Sequence, residues 1–324
     1  MRFIGRIIVI FLPLMPRFFV RWISKRYVAG ETLDDALKVM ESLKSENTCF
    51  TVDVLGEEIN DISESLYFIN EYNNLLEAIV EKNIDANISI KPTALGLLLD
   101  KNKAKENLEN LLKKAALNDI FVRLDMEDSR VTQSTIDLVY EMHNKGHENV
   151  GTVLQARLFR TPEDVLKICT KLGHNADFRI CKGIYLEPND IAFTTYQDIV
   201  EATNVTIDSM LQKGAYVAIA SHDEPVINHA LNSLIKNDMS PEKSDPRINS
   251  GPKLNGKGNG YEFQFLLGVR GDKRRKLAEE GHLTRIYLPY GSRWYEYSMR
   301  RLRENPEIAS HVAKAFFLPW TNRR

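Results

Sequence analysis

IFVRLD (Ile120–Asp125), STIDLVYEMHNK (Ser134–Lys145) and GTVLQA (Gly151–Ala156) follow one another along the chain, and their alternation decides the fold. The first and third are short apolar segments rich in β-formers. In the second, Ile136, Val139, Tyr140 and His143 recur at helical spacing. Strand, helix and strand in that order form the unit from which parallel sheets are built.

The unit repeats in both directions. Further strand-like segments occur at Cys49–Leu55, Ala86–Lys91, Asp177–Lys182, Tyr216–Ser221, Tyr261–Leu267 and Arg285–Leu288. Longer stretches with helical periodicity separate them, as at Ile62–Lys82, where Leu66, Ile69, Tyr72, Leu76 and Ile79 line one face. Eight strands alternating with helices over about 250 residues predict an α/β fold, a (β/α)8 barrel of the TIM type. A doubly wound sheet is the structural alternative. Its usual GxGxxG after the first strand is missing, and Asp53-Val-Leu-Gly-Glu57 stands there instead.

The chain has 324 residues, 43% of them hydrophobic and 27% charged, with a formal net charge of -1. So even a balance disfavours a nucleic-acid partner. The three cysteines, Cys49, Cys169 and Cys181, form no CxxC pair, so neither a disulfide framework nor a cysteine metal site is expected, and a reducing compartment is favoured.

The N-terminus differs from the rest. From Phe3 to Val20 it is apolar but interrupted by Arg6, Pro13, Pro16 and Arg17. Its longest uncharged run is about ten residues, against the roughly 20 that span a bilayer. Arg17, Arg21, Lys25 and Arg26 stand where a signal peptide would carry a small-residue cleavage site. Two readings remain: short helices packed on the domain, and an interfacial segment over residues 3–26 whose apolar residues meet lipid while the basic ones meet headgroups. The expected division is a helical arm, residues 1–30, and a barrel, residues 31–324.

One stretch breaks the alternation. Ser240–Gly260 is rich in turn formers and lysine and reads as a solvated loop. Following a helix and preceding a strand, it belongs at the N-terminal face of a barrel, away from chemistry.

In a barrel the catalytic groups sit at the C-terminal ends of the strands. Those positions hold Asp53 and Glu57, Lys91, Asp125, Gln155, Arg179 and Lys182, Ser221 and His222, then Tyr287. Each alone reads equally as a solvated strand end or a cap. A ring of them is harder to explain by packing. Beyond the last strand, Trp294–Glu304 reads as a helix with Tyr297, Arg300, Arg301 and Glu304 within an arc of about 100°. Two guanidiniums on one face form a natural receptor for a carboxylate. The plain alternative is a solvated ion-pair helix with Arg300 bonded to Glu304.

Here the sequence resembles the proline dehydrogenase family. The matching segments are DVLGE (Asp53–Glu57), SIKPTALGL (Ser89–Leu97), VRLDMEDS (Val122–Ser129), VLQARLFRT (Val153–Thr161), FRICKGIYLEP (Phe178–Pro188), ASHDE (Ala220–Glu224), YEFQFLLGVR (Tyr261–Arg270) and RIYLPYGSRWYEYSMRRLREN (Arg285–Asn305). They run in order through every predicted strand, in the manner of the monofunctional bacterial enzymes. The resemblance implies FAD-dependent oxidation of L-proline to Δ1-pyrroline-5-carboxylate, with electrons passed to a membrane quinone. It implies that Arg300 and Arg301 bind the proline carboxylate, that Lys91 and Asp125 complete the polar side of the pocket, and that Tyr287 and Tyr297 pack on the substrate ring. Against the flavin it implies Met126, Gln155, Arg179, the Lys182-Gly183-Ile184 turn, Ser221, His222 and Glu304. Glu57 is the expected gate partner of Arg300. Ser221 departs from a common Thr, keeping the hydroxyl, and the Ser240–Gly260 loop is longer than usual.

Elementary chemistry agrees with these roles. No side chain accepts hydride, so a cofactor must. The catalytic pair is then Asp125 and Arg179, the latter as the cation that favours the reduced ring. The enzyme is expected in the cytoplasm, peripheral on the inner face of the cell membrane. Two competing readings are a lysine Schiff-base aldolase using Lys91 or Lys182, which leaves the arginine pair unexplained, and a catalytically silent membrane-associated barrel. A flavin barrel of the methylenetetrahydrofolate reductase type would share the fold, but no stretch asks for a pterin or NAD site.

Overall fold

The computed structural model describes residues 17–243, 245–246 and 257–304. Eight parallel strands close into a barrel in sequence order: β1 Thr48–Val54, β2 Ala86–Ile90, β3 Val122–Leu124, β4 Val150–Gln155, β5 Asp177–Cys181, β6 Tyr216–Ala220, β7 Tyr261–Leu266 and β8 Thr284–Tyr290. The closing seam is β1 with β8, in register from Thr48 opposite Thr284 to Val54 opposite Tyr290. Each strand falls on its predicted segment, and the barrel displaces the doubly wound alternative.

Ten helices are described. α1 (Arg17–Ser24) and α2 (Leu33–Leu43) precede the barrel. α3 (Ser65–Glu81), α4 (Lys101–Ala116), α5 (Thr132–Asn144), α6 (Thr161–Leu172), α7 (Tyr196–Gln212), α8 (Glu224–Lys236), α9 (Gly271–Glu279) and α10 (Trp294–Glu304) each follow a strand. Local signals set several starts. Thr32 accepts from the Asp35 backbone while the Asp35 side chain returns to the Thr32 backbone, a capping box opening α2. Asp100 caps α4, and Pro162 sits at the first turn of α6, where a missing N–H costs nothing.

Alternation along the strands sorts the two faces. Phe50, Val52 and Val54, Ile88 and Ile90, Phe178 and Ile180, and Phe263 and Phe265 join the helices in the apolar layer. The other face carries Thr51, Asp53, Ser89, Arg123, Asp125, Asp177, Arg179, Glu262, Gln264 and Arg285, and it fills the barrel. Buried charges persist only when paired. Glu262 and Arg285, both fully buried, are bonded at 2.8 Å, and Arg123 meets Asp177 at 2.5 Å.

α1 packs on α10. The Arg17 guanidinium lies 4.8 Å from the Tyr295 ring centre, and Arg21 lies 5.9 Å from that of Trp294. Val20, Ser24, Tyr27 and Val28 are buried, and Ala29 N–H donates to Pro289 O. Phe18 (75% exposed) and Trp22 (44%) face outward. Residues 1–16 of the predicted arm lie outside the described residues. Among the described residues no helix is long and apolar enough to cross a membrane.

The described ends of the Ser240–Gly260 stretch, residues 240–243, 245–246 and 257–260, lie at the N-terminal end of the barrel as expected, and residues 244 and 247–256 lie outside the described residues. At Lys257 the reading as a solvated loop needs correction. Lys257 reaches inward. Its ammonium is buried 2.5 Å from Asp177 Oδ2, and it lies 3.6 Å and 4.0 Å from the ring centres of Tyr216 and Phe121. Gly258 N–H donates to Tyr216 Oη, which seats the lysine. Burial lowers its pKa from 10.5 to about 8 despite Asp177. A lysine lowered in this way binds fewer protons folded than unfolded, so its contribution to stability rises with pH. The stability of the native chain minus that of Lys257→Met should therefore grow by up to about 1.4 kcal/mol per pH unit between about 8 and 10.5. Urea melts across that range check it, and parallel pH curves for the two proteins would refute it.

Candidate active site

All strands of a parallel barrel end on the same side, so the polar residues at their C-termini converge. Arg179 of β5 stands at the centre. Its Nη1 donates to Asp125 Oδ1 and its Nε to Gln264 Oε1, both at 2.5 Å, and its Nη2 donates to Ser89 Oγ at 2.9 Å. Asp125 uses its other oxygen as well, accepting from Tyr287 Oη at 2.7 Å. The guanidinium and the Tyr287 phenol thus each hold one oxygen of the Asp125 carboxylate.

Lys91 follows β2 and is held by Asp53 of β1, at 2.7 and 2.8 Å from the two carboxylate oxygens. Burial opposes the ammonium charge, but the surrounding Asp53, Asp125 and Glu57 carboxylates outweigh it and hold Lys91 protonated well above its usual range. Burial lifts the Asp53 carboxyl to about 6, so both partners are ionised at neutral pH. This corrects the aldolase alternative, because an amine nucleophile needs a depressed pKa. Lys182 is half-buried and ion-paired with Asp223. Lys257, which is depressed, lies at the opposite end of the barrel.

α10 brings the second half of the site. Arg300 and Glu57, from the loop after β1, form a two-pronged ion pair. Glu304, the partner of the plain ion-pair alternative and an expected flavin contact, ends α10, and its side chain lies outside the described residues. Arg300 and Arg301 flank Tyr297, with guanidinium carbons 5.9 Å and 5.3 Å from its ring centre. Burial pushes the Tyr297 and Tyr287 phenols up, so both stay protonated. The halves meet electrostatically: Tyr297 senses Asp53 and Lys91 as well as both arginines.

The remaining predicted residues line the strand ends. Met126, Gln155 and Ser221 are buried, and Ile184 is 39% exposed. Gly183 has φ +94°, and a Cβ there would lie 2.8 Å from Arg157 Cδ and 3.0 Å from Gln155 Oε1, so the turn requires glycine. His222 Nε2 accepts from Leu266 N–H at 2.9 Å, which places its proton on Nδ1. Burial lowers this imidazole to about 4, so it is neutral at working pH.

Residues 36–314 match the proline dehydrogenase family. The chain belongs to the proline dehydrogenase family. It is an oxidoreductase of that family, with the family's barrel. It is 32% identical over 291 residues to proline dehydrogenase 1 of Bacillus subtilis subsp. natto, covering 90% of this chain and 89% of that one. With the proline dehydrogenase of Deinococcus radiodurans it shares 30% identity over 296 residues, 90% and 89% of the two chains. Among solved structures, a proline utilization A protein of Bdellovibrio bacteriovorus, inactivated by N-propargylglycine, superposes with a TM-score of 0.76 at 22% identity over 88% of this chain. The chain spans 33% of that protein's length.

Within this family site the structure adds residues that the sequence did not single out. Tyr185, one residue beyond the Gly183 turn, lies close enough to Glu57, Arg300 and Arg301 to feel their charges. Glu127 accepts from the Thr93 backbone N–H at 3.2 Å and the Thr93 hydroxyl at 2.6 Å, clasping the loop that follows Lys91. Burial pushes Glu127 up to about 7. The adjacency of Tyr185 to a matching turn was a usable signal. Glu127, next to Met126 within VRLDMEDS, carried the same kind of signal.

Proposed function

We propose that the chain oxidises L-proline to Δ1-pyrroline-5-carboxylate with FAD bound along the strand ends and a membrane quinone as electron acceptor. The observation that carries this is the Arg300–Arg301 pair on α10 beside the Lys91, Asp125, Arg179 and Tyr287 cluster. The residues suit a flavin. A fixed cation, a neutral imidazole and a turn stripped of its Cβ offer charge, a hydrogen bond and close backbone approach. FAD supplies the hydride acceptor that no side chain provides.

The chain's own groups do the rest. Arg300 and Arg301 take the carboxylate through parallel N–H donors. Arg300 then shares its fork between substrate and Glu57, which couples binding to the loop over the pocket. Tyr287 and Tyr297, as protonated phenols, present ring faces to the pyrrolidine. The Lys91 ammonium repels a substrate ammonium and so favours the neutral amine from which hydride leaves. Met126, Gln155, Lys182, Gly183, Ile184, Ser221, His222 and Glu304 hold the cofactor. The test is optical: purified protein should absorb near about 370 and 450 nm and bleach on adding L-proline without oxygen. Retained colour with proline, or no colour with added FAD, refutes the function.

Reoxidation at a quinone requires a lipid surface, and we assign that contact to the 1–30 arm, on the inner face of the cell membrane. Support comes from Phe18 and Trp22, outward on α1 beside the basic residues. Replacing both by Ser should weaken sedimentation with anionic vesicles by about tenfold or more, as burial of two such rings is worth several kcal/mol. Turnover with a soluble dye should be unchanged. Equal vesicle binding would refute the contact.

A further inference from the structure

We propose that Gln264 is a positioning residue for the Arg179 guanidinium, its amide locked in one orientation by the buried Glu262–Arg285 ion pair. Gln264 lies on β7, 3% exposed inside the barrel. Its Oε1 accepts from Arg179 Nε at 2.5 Å, and its Nε2 donates to Glu262 Oε1. Glu262, two residues earlier on the same face of β7, also accepts from Arg285 Nε at 2.8 Å, Arg285 Nη2 at 3.0 Å and Tyr216 Oη at 2.8 Å. Its charge is therefore fixed, and its position with it.

An amide between an N–H donor and a carboxylate has one good orientation. Turned over, it would set N–H against the Arg179 N–H and its carbonyl against the Glu262 carboxylate, losing two buried hydrogen bonds and adding two repulsions. The ion pair below thus dictates which Gln264 atom faces Arg179. Asp125 and Ser89 hold the outer nitrogens of the guanidinium, while Gln264 holds Nε, the atom that sets the plane relative to its own chain. Without that acceptor the guanidinium is held through its outer nitrogens alone, by Asp125, Ser89 and Thr51, and its plane is less constrained relative to its own chain.

The role rests on the proposed reading of Arg179 as the cation that faces the flavin of a proline-oxidising site. The bland alternative is that Gln264 merely fills the barrel, and a double-mutant cycle separates the two. Wild type, Gln264→Met, Arg179→Met and the double variant would be compared by steady-state kinetics, flavin midpoint potential and thermal melting. Gln264→Met should lower kcat by about tenfold or more, leave the proline KM within about threefold, and make the potential more negative. On the Arg179→Met background the same change should alter kcat by less than about twofold, because its effect runs through Arg179. Where Gln264→Met fails to fold, the shorter amide Gln264→Asn withdraws the acceptor without adding charge, and its potential decides: more negative supports the role, unchanged overturns it. A wild-type kcat and potential in Gln264→Met, or a full effect on the Arg179→Met background, overturns it as well. Failure of the underlying reading would show separately, in wild-type protein that does not bleach with proline.

Discussion

Arg301→Met is expected to weaken proline binding by about 2–5 kcal/mol, about 30- to 5,000-fold, while the bound flavin remains. The carboxylate would keep Arg300 but lose one of the two guanidiniums that flank Tyr297. Arg300→Met should fall in the same range, but for two reasons at once. It removes a carboxylate ligand, and it strands Glu57, which the structure pairs with both terminal nitrogens of Arg300. The pair is only partly buried, at 33% and 19% exposed, so its own share is small, about 1 kcal/mol or less. Glu57→Gln should therefore cost far less than either arginine variant. Binding of a proline analogue, followed by its perturbation of the flavin spectrum, gives the comparison directly. Arginine variants with the wild-type affinity, or an equal loss in Glu57→Gln, would show that the carboxylate is held elsewhere.

The legible and illegible parts of this molecule divide along one physical line: local pattern was readable, cross-strand pairing was not. Strand and helix alternation depends on near neighbours, so Tyr216–Ser221 was expected and Tyr216–Ala220 found, and Trp294–Glu304 was placed without error. Parallel closure then sends every strand end to one mouth, which is why Lys91, Asp125, Gln155 and Arg179 could be grouped before any distance was known. Their partners depend on register. That Asp53 holds Lys91 follows from β1 lying beside β2 with Asp53 opposite Ser89, a fact absent from either segment. Helical periodicity put Arg300 on one face with Tyr297 and offered Glu304 as its plain ion-pair partner, whereas the resemblance implied Glu57, and the loop after β1 provides Glu57. Charged residues inside apolar strands, such as Arg123 and Glu262, drew no reading of their own from the sequence. They line the barrel interior as buried ion pairs, Arg123 with Asp177 and Glu262 with Arg285, meaningful only once all eight strands close. Lys257 was hidden differently: a loop of turn formers reads as solvated, and nothing in its composition marks Lys257 as a side chain that turns inward.

That charged lining predicts the largest loss of stability. Glu262→Ala should destabilise the fold by about 3–5 kcal/mol, because it leaves the fully buried Arg285 charge without its carboxylate. Against a total of about 5–15 kcal/mol for a domain, such a loss moves a urea midpoint substantially. Glu262→Gln keeps the shape and should cost less. Replacing both partners with apolar residues of similar volume should recover part of the loss, since the penalty belongs to the stranded charge rather than to the missing bond. Acid should reproduce the effect in the native chain. Burial pushes the Glu262 carboxyl up, but the Arg285 and Lys257 charges together outweigh it and hold the carboxyl well below its ordinary value of 4.5. A carboxylate depressed on folding contributes stability that is complete above about 4.5 and is lost as pH falls below that value. The stability difference between native chain and Glu262→Ala should therefore be flat from about pH 5 to 7 and shrink in more acid solution. A difference that stayed constant into acid would mean that the carboxylate charge is not what stabilises the barrel interior.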